Sequence, residues 1–243
     1  MELSGRTALV TGAAQRVGRT IATRLAERGA RVAVHYGRSA AAATALVAEL
    51  RAAGREAEAF AADLGDAAAV IALAERVSER LGTVDVLVNN ASLYERTPLA
   101  ELDAVAWERH LAVNLTAPYL LALQLGRAMA ARGAGKIVNI GDAGADPPCR
   151  GYLPYAVSKA GIGALTRGLA KELAPGVQVN CIAPGPILPP AGATAEQEAR
   201  ILARTPLGRF GGPDAVASAV LYLVEADFVT GTTMVVDGGR SLG

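Results

Sequence analysis

The chain has 243 residues, 51% of them hydrophobic and 19% charged, so it can bury a sizeable core and disorder is not expected. Its formal net charge of +1 leaves no electrostatic footprint for nucleic acid or an anionic membrane. The longest apolar stretch, Leu111 to Leu125, is broken by Asn114, Pro118 and Gln124 and falls short of the about 18 residues of a spanning helix. Cys149 and Cys181 lack CxxC spacing, and the start shows no signal-peptide layout, so a reduced, cytoplasmic protein is expected.

Apolar periodicity predicts strands alternating with helices. Thr7 to Thr11 forms a buried strand that ends at Gly12, and Arg16 to Arg28 forms a helix with Val17, Ile21, Ala22 and Leu25 on one face. Arg31–Tyr36 is a second strand, Ala40–Ala53 a helix ended by Gly54, and Glu56–Asp63 a third strand. A helix over Ala67–Leu81, a fourth strand over Val84–Asn89 and one long helix from Asp103 to Arg132 follow. Then come a strand over Lys136–Ile140, a helix carrying Tyr155 to about Leu173, and a strand over Val177–Ile182. Residues 184–205 open on prolines and are expected as a substrate loop. A helix over Pro213–Val224, with proline in its first turn, and a strand over Thr232–Val236 complete the chain. Such alternation with short connections predicts a parallel, doubly wound α/β sheet of about seven strands in a single domain spanning 1–243.

The junction of the first strand and first helix reads Thr11-Gly12-Ala-Ala-Gln15-Arg16-Val17-Gly18. Gly12 permits a tight turn and Gly18 a close approach of backbone, while the helix N-terminus offers N–H groups to a pyrophosphate. NAD binders usually place an acid at the end of the second strand; here the residues are His35-Tyr36-Gly37-Arg38-Ser39. Arg38 and Ser39, with Arg16, are suited to a 2′-phosphate, so NADPH is the expected cofactor.

Tyr155 and Lys159 stand four apart, one helical turn, and so share a face. A lysine charge near a phenol is expected to lower its pKa from about 10 toward neutrality and make Tyr155 a general acid. Asp142 lies thirteen residues upstream, and Asn114 puts an amide inside an otherwise apolar helix, where it needs a buried partner. His110 is expected in solvent or at a core edge, and the two histidines and two cysteines show no metal-ligand spacing. Cys149 is placed to line the pocket ahead of the Tyr155 helix.

Taken together, Thr11-Gly12…Gly18, Asp63, Asn89-Asn90-Ala91, Asn114, Tyr155…Lys159, Pro184-Gly185 and Asp237-Gly238-Gly239 resemble the short-chain dehydrogenase/reductase superfamily over the whole chain. The resemblance implies a Rossmann-like fold. It also implies that Asp63 bonds the adenine amino group with help from the Leu64 backbone, and that Asn90 borders the cofactor. Lys159 would hold the nicotinamide ribose and support Tyr155, while Asn114 would hold a water that relays protons to Lys159. Val17, Ala91, Ser92, Pro184 and Gly185, with His35, Tyr36, Arg38 and Ser39, would complete the cofactor site. It further implies a homotetramer formed through the long helix, the Tyr155 helix and the last strand, with Val235-Val236 and Arg240 to Gly243 at an interface.

Most members carry serine where this chain has Asp142. A carboxylate is a poor partner for a carbonyl oxygen that gathers negative charge, but it can hold or relay a proton toward the nitrogen of a C=N bond. With Arg16 in place of a loop glycine and Ser92 in place of a closing glycine, the chain resembles the pteridine reductases and their bacterial dihydromonapterin and dihydrofolate reductase relatives. That resemblance implies a pterin or folate substrate, with Asp142, Tyr155 and Lys159 as the catalytic trio. Arg16 would reach cofactor phosphate and pterin, Tyr94 would stack on the pterin, and Ser92 and Pro186 would line the substrate. Two other readings stay open: a carbonyl reductase of 3-oxoacyl type, and an NADPH-binding sensor with little catalysis.

Overall fold

The computed structural model describes residues 1–145, 150–190 and 192–242, so Cys149 and Gly243 lie outside the described residues. Seven strands run in the chain order β1 Thr7–Val10, β2 Arg31–Tyr36, β3 Ala57–Ala61, β4 Val84–Asn89, β5 Gly135–Ile140, β6 Val177–Pro184 and β7 Thr233–Val236. They pair, all parallel, in the spatial order β3-β2-β1-β4-β5-β6-β7. The helices are α1 Arg16–Glu27, α2 Ala40–Ala52, α3 Ala67–Leu81, α4 Ala104–Leu111, α5 Ala117–Ala131, α6 Leu153–Glu172, α7 Ala195–Ala203 and α8 Pro213–Glu225.

The period of two along each strand divides the core. Ala8 and Val10 of β1 and Val86 and Val88 of β4 pack with Ile21 and Leu25 of α1, Leu46 of α2, and Val216 and Val220 of α8. Leu9 and Leu87, one residue out of phase, face Leu73 of α3, Leu121 and Met129 of α5, and Leu169 of α6. Both faces of the sheet are therefore covered, which is why its strands read as continuous apolar runs.

The chain winds outward from β1 to β3, then returns to place β4 on the other side of β1. The reversal opens a crevice beyond the carboxyl ends of β1 and β4, where doubly wound sheets hold their ligands.

Two expected elements differ. The long helix is interrupted by a π-helical turn over Ala112–Thr116 that carries the buried Asn114. Pro118 has no N–H to give the Asn114 carbonyl four residues back, which fits the widened turn. His110, on α4, is fully buried rather than at a core edge, and its Nδ1 bonds the Ala106 carbonyl at 2.8 Å. The stretch expected as loop contains α7, whose start is fixed by a reciprocal capping box between Thr194 and Gln197. Among the described residues, no helix is long and apolar enough to cross a membrane.

Candidate active site

The glycine loop is shaped from beneath. Gly12 has φ +62°, and a Cβ on Gly18 would lie 2.2 Å from the Gly12 carbonyl oxygen and 2.5 Å from Asn90 Nδ2. Arg16 keeps a left-handed φ of +52° although it is not glycine. It is exposed, as is Arg38 beyond the neighbouring strand β2, so both guanidinium groups stand on the solvent lip of the crevice. Ser39 precedes α2 with no cap bond from its side chain, and Val17 and Tyr36 are half-buried. The cradle at Gly18, which a Cβ would fill, fits a dinucleotide, and among the described residues no ion pair engages Arg16 or Arg38.

The loop is tied to β4 by the hydroxyl of Thr11, which accepts the N–H groups of Asn90 at 2.9 Å and Ala91 at 3.0 Å. Asn90 Nδ2 donates back to the Thr11 carbonyl at 2.9 Å. His35 does not face the crevice. It is 2% exposed, accepts the Gly12 N–H on Nδ1 at 3.1 Å, and bonds the Ala62 carbonyl through Nε2 at 3.2 Å. Its place among the cofactor contacts is therefore corrected: it is the prop beneath Gly12, and only a neutral ring can accept on one nitrogen while donating from the other. Burial pushes its pKa down to about 4 against the pull of the Ala62 carbonyl. Asp63 is exposed and accepts the Gly65 N–H on Oδ1 at 2.8 Å, and Leu64 is buried beside it.

At the other side of the crevice, α6 presents Tyr155 and Lys159. The Tyr155 hydroxyl donates to Asp142 Oδ2, and Asp142 Oδ1 accepts the Gly144 N–H at 2.6 Å. Lys159 Nζ donates to the Ile140 carbonyl at 2.8 Å and sits 6.0 Å from the centre of the Tyr155 ring. The expected lowering of the phenol pKa is not found. Burial and then the adjoining Asp142 push Tyr155 up, so it is a protonated donor. Burial likewise brings Lys159 down to about 8, against the pull of Asp142. Lys159, aimed at a backbone carbonyl, does not offset the burial of the phenol, and the carboxyl touches its hydroxyl.

The Asn114 side chain ties the loop after β4 to α6. Its Oδ1 accepts the Leu93 N–H at 2.7 Å, and its Nδ2 donates to the Leu93 carbonyl at 2.9 Å and to Ser158 Oγ at 3.1 Å. Ser158 in turn donates to the Tyr155 carbonyl at 2.6 Å. The loop after β4 is further held by the Arg109–Glu95 ion pair and by the Thr97 N–H on the Gly151 carbonyl at 2.6 Å. Tyr94 is thereby set against Tyr155, edge to face with ring centres 4.7 Å apart, and stacked on Tyr152, also at 4.7 Å. Asp142, Tyr94, Tyr155 and Pro186 line one cavity of about 220 Å³. Gly185 lines it too, its N–H on the Val236 carbonyl at 3.0 Å, while Pro184 accepts the Ala143 N–H. Ser92 is exposed beside that loop.

Ser158, Tyr152 and Ile201 also belong to this site, and Arg240, expected at an interface, lines its cavity. Tyr152, the residue before α6, pairs with Tyr94 rather than with Tyr155, a contact without a local signal. Nothing in the sequence places α7 or Arg240 against Tyr155.

Comparison with known proteins decides the family. The profile described as enoyl-(acyl carrier protein) reductase matches residues 12–241. The chain belongs to the short-chain dehydrogenase/reductase family. It is 40% identical over 240 residues to a cis-4-hydroxycyclohexanecarboxylate dehydrogenase of Sinomonas cyclohexanicum, covering 96% of each chain. It is 36% identical to a 3-oxoacyl-[acyl-carrier-protein] reductase of Synechocystis, covering 98% of this chain and 97% of the relative. Among solved structures, the FolM alternative dihydrofolate reductase 1 of Brucella canis, complexed with NADP, superposes with a TM-score of 0.93 at 35% identity, over 100% of this chain and 96% of that one. As a short-chain dehydrogenase/reductase, the protein is an oxidoreductase with NADP(H) as cofactor.

The His35 prop makes acid stability testable. Above about pH 6.5 the ring is neutral in folded and unfolded chains and contributes no pH dependence. As pH falls from about 6.5 to about 4, the unfolded chain takes up the proton first, and stability should drop by about 3 kcal/mol in all. Urea denaturation between pH 7 and pH 4 should show this loss in the native protein and a flatter profile in His35→Asn; parallel profiles would refute the assignment.

Proposed function

We propose that the protein is an NADPH-dependent reductase of a pterin, dihydropterin or dihydrofolate C=N bond, with residues 1–243 acting as one reductase domain. The observation that carries this reading is the contact of Asp142 with the Tyr155 hydroxyl. Both carboxyl oxygens accept hydrogen bonds, so the group beside Tyr155 opposes negative charge growing on a substrate oxygen and favours a proton moving toward a nitrogen. Bound NADPH supplies the hydride. Tyr155, kept protonated by burial, delivers the proton, and Asp142 orients the phenol and favours cationic character at the nitrogen. Lys159, held by the Ile140 carbonyl, lies where it can bond a ribose hydroxyl. Tyr94, positioned through Asn114, offers a ring to a flat heteroaromatic substrate. Arg16, Arg38 and Ser39 hold the 2′-phosphate, Asp63 the adenine, and Gly12, Val17, Gly18, Asn90, Ala91, Ser92, Pro184 and Gly185 the rest of the dinucleotide. The likeness to the Brucella reductase supports this reading.

A second reading, reduction of a carbonyl, is favoured by the names of the sequence relatives, among them the 3-oxoacyl-[acyl-carrier-protein] reductase. NADPH consumption with dihydrobiopterin and dihydrofolate, set beside a β-keto ester panel, separates the two. Turnover on the pterins with Asp142→Ser lowering it by about tenfold or more supports the first reading. Turnover on the ketones alone would replace it with the second.

The cofactor preference has its own check. Removing one charge-assisted bond should raise KM for NADPH about tenfold in Arg38→Ala and leave any NADH turnover unchanged. Equal use of NADH and NADPH by the native protein would refute the preference.

We further propose a cytoplasmic homotetramer; Cys181 is a free, buried thiol, as a reducing compartment permits. Tyr119 on α5, Val157 on α6 and Val235 on β7 are exposed apolar residues on the expected interfaces. Sedimentation should give a particle of four 24.8 kDa chains, and a monomer at micromolar concentration would overturn the assembly.

A further inference from the structure

The cavity at Tyr155 contains a positive charge that neither the dinucleotide crevice nor the Tyr155–Asp142 contact uses. Arg240 begins a single helical turn, Arg240–Leu242, just beyond β7. That turn is fixed from both sides by Asp237, whose carboxylate accepts the Gly239 N–H at 2.8 Å and the Ser241 N–H at 2.7 Å. Arg240, half-buried, lines the cavity together with Tyr94, Tyr152, Tyr155 and Asp142. It donates one bond, from Nη1 to the Ile201 carbonyl on α7 at 3.2 Å. A guanidinium has five N–H donors and stays charged at any working pH. Among the described residues, no carboxylate pairs with Arg240 and no other acceptor takes its side-chain donors.

A partly desolvated guanidinium with unused donors matches a planar anion, which it can grip with two parallel bonds. Asp142 does not pair with it across the cavity, although the two share the lining. An anionic substrate group is drawn to Arg240 and repelled by Asp142, and this charge pattern sets one orientation: reducible bond at Tyr155 and Asp142, anion at Arg240. The tyrosine rings in the same lining favour a flat body. The volume of about 220 Å³ lies below the about 300–1,000 Å³ of pockets that enclose drug-sized ligands, so a small ring and the start of its arm are what it holds.

We propose that Arg240 is the anion-binding residue of the substrate site, and that the protein acts on small flat-ring compounds bearing a carboxylate arm. The proposal deepens the function above and rests on the Tyr155 cavity being the substrate site, not on which double bond is reduced.

The test uses two matched pairs of probes on the NADPH-loaded protein. With 7,8-dihydropterin-6-carboxylate, whose carboxylate sits next to the ring, Arg240→Gln should raise KM about tenfold with kcat held within about twofold, and Arg240→Lys should recover part of the loss. With dihydrobiopterin, which has none, KM should not move. Independently, benzoate should raise the melting temperature of the native protein and lose that effect in Arg240→Gln, whereas the neutral benzamide should give no shift in either. Equal KM changes for both pterins, or equal behaviour of benzoate and benzamide on the native protein, would overturn the role of Arg240. Should no pterin turn over, the C=N reading fails while the benzoate–benzamide contrast still decides this one.

Discussion

Where the strand order reverses, β1 and β4 must part beyond their ends to leave a crevice and yet stay fixed relative to each other. The Thr11 hydroxyl and the Asn90 amide meet that demand by cross-bonding the two strand ends through three hydrogen bonds. Side chains do here what the sheet ladder can no longer do, because paired strands would close the crevice. His35 extends the same bracing from β2 to the end of β3, so the glycine loop rests on side chains from both neighbouring strands. Gly18 then has to be glycine for the reason that the cradle is already full.

The substrate side depends on one buried amide. Asn114 joins the loop carrying Tyr94 to the helix carrying Tyr155 through Ser158, and it does so from a turn that Pro118 prevents from closing as a regular helix. An unmade bond at such a buried amide would cost about 1–3 kcal/mol, so the loop, the π turn and α6 behave as one unit. That unit determines where the three tyrosines meet.

Desolvation, rather than the Tyr-Lys spacing, sets the electrostatics at the centre. Lys159 and Tyr155 share a helix face, but the ammonium is spent on the Ile140 carbonyl and the phenol faces a carboxyl. Both groups are pushed toward their neutral forms by burial. A site of this kind keeps a proton on Tyr155 until a substrate takes it. Asp142, Tyr94 and Arg240 meet around the cavity beside this pair.

The sequence by itself determined the alternation of strands and helices, the sheet class and the glycine cradle, because each rests on local periodicity or on a backbone angle that few residues adopt. It also put Tyr155 and Lys159 on one helix and asked for a buried partner at Asn114, through spacing of four and an amide in an apolar run. It did not reveal α7, although Thr194 and Gln197 carried a capping signal beneath the weight of the nearby prolines. It put His35 in the wrong role, since a residue at a strand end can face either the ligand or the loop beneath it. Only the tertiary structure decided that Lys159 turns to a carbonyl, that Tyr152 stacks on Tyr94, and that Arg240, 85 residues after Tyr155, lines the same cavity. Those outcomes depend on burial and on contacts between elements distant in the chain, and neither has a local signature.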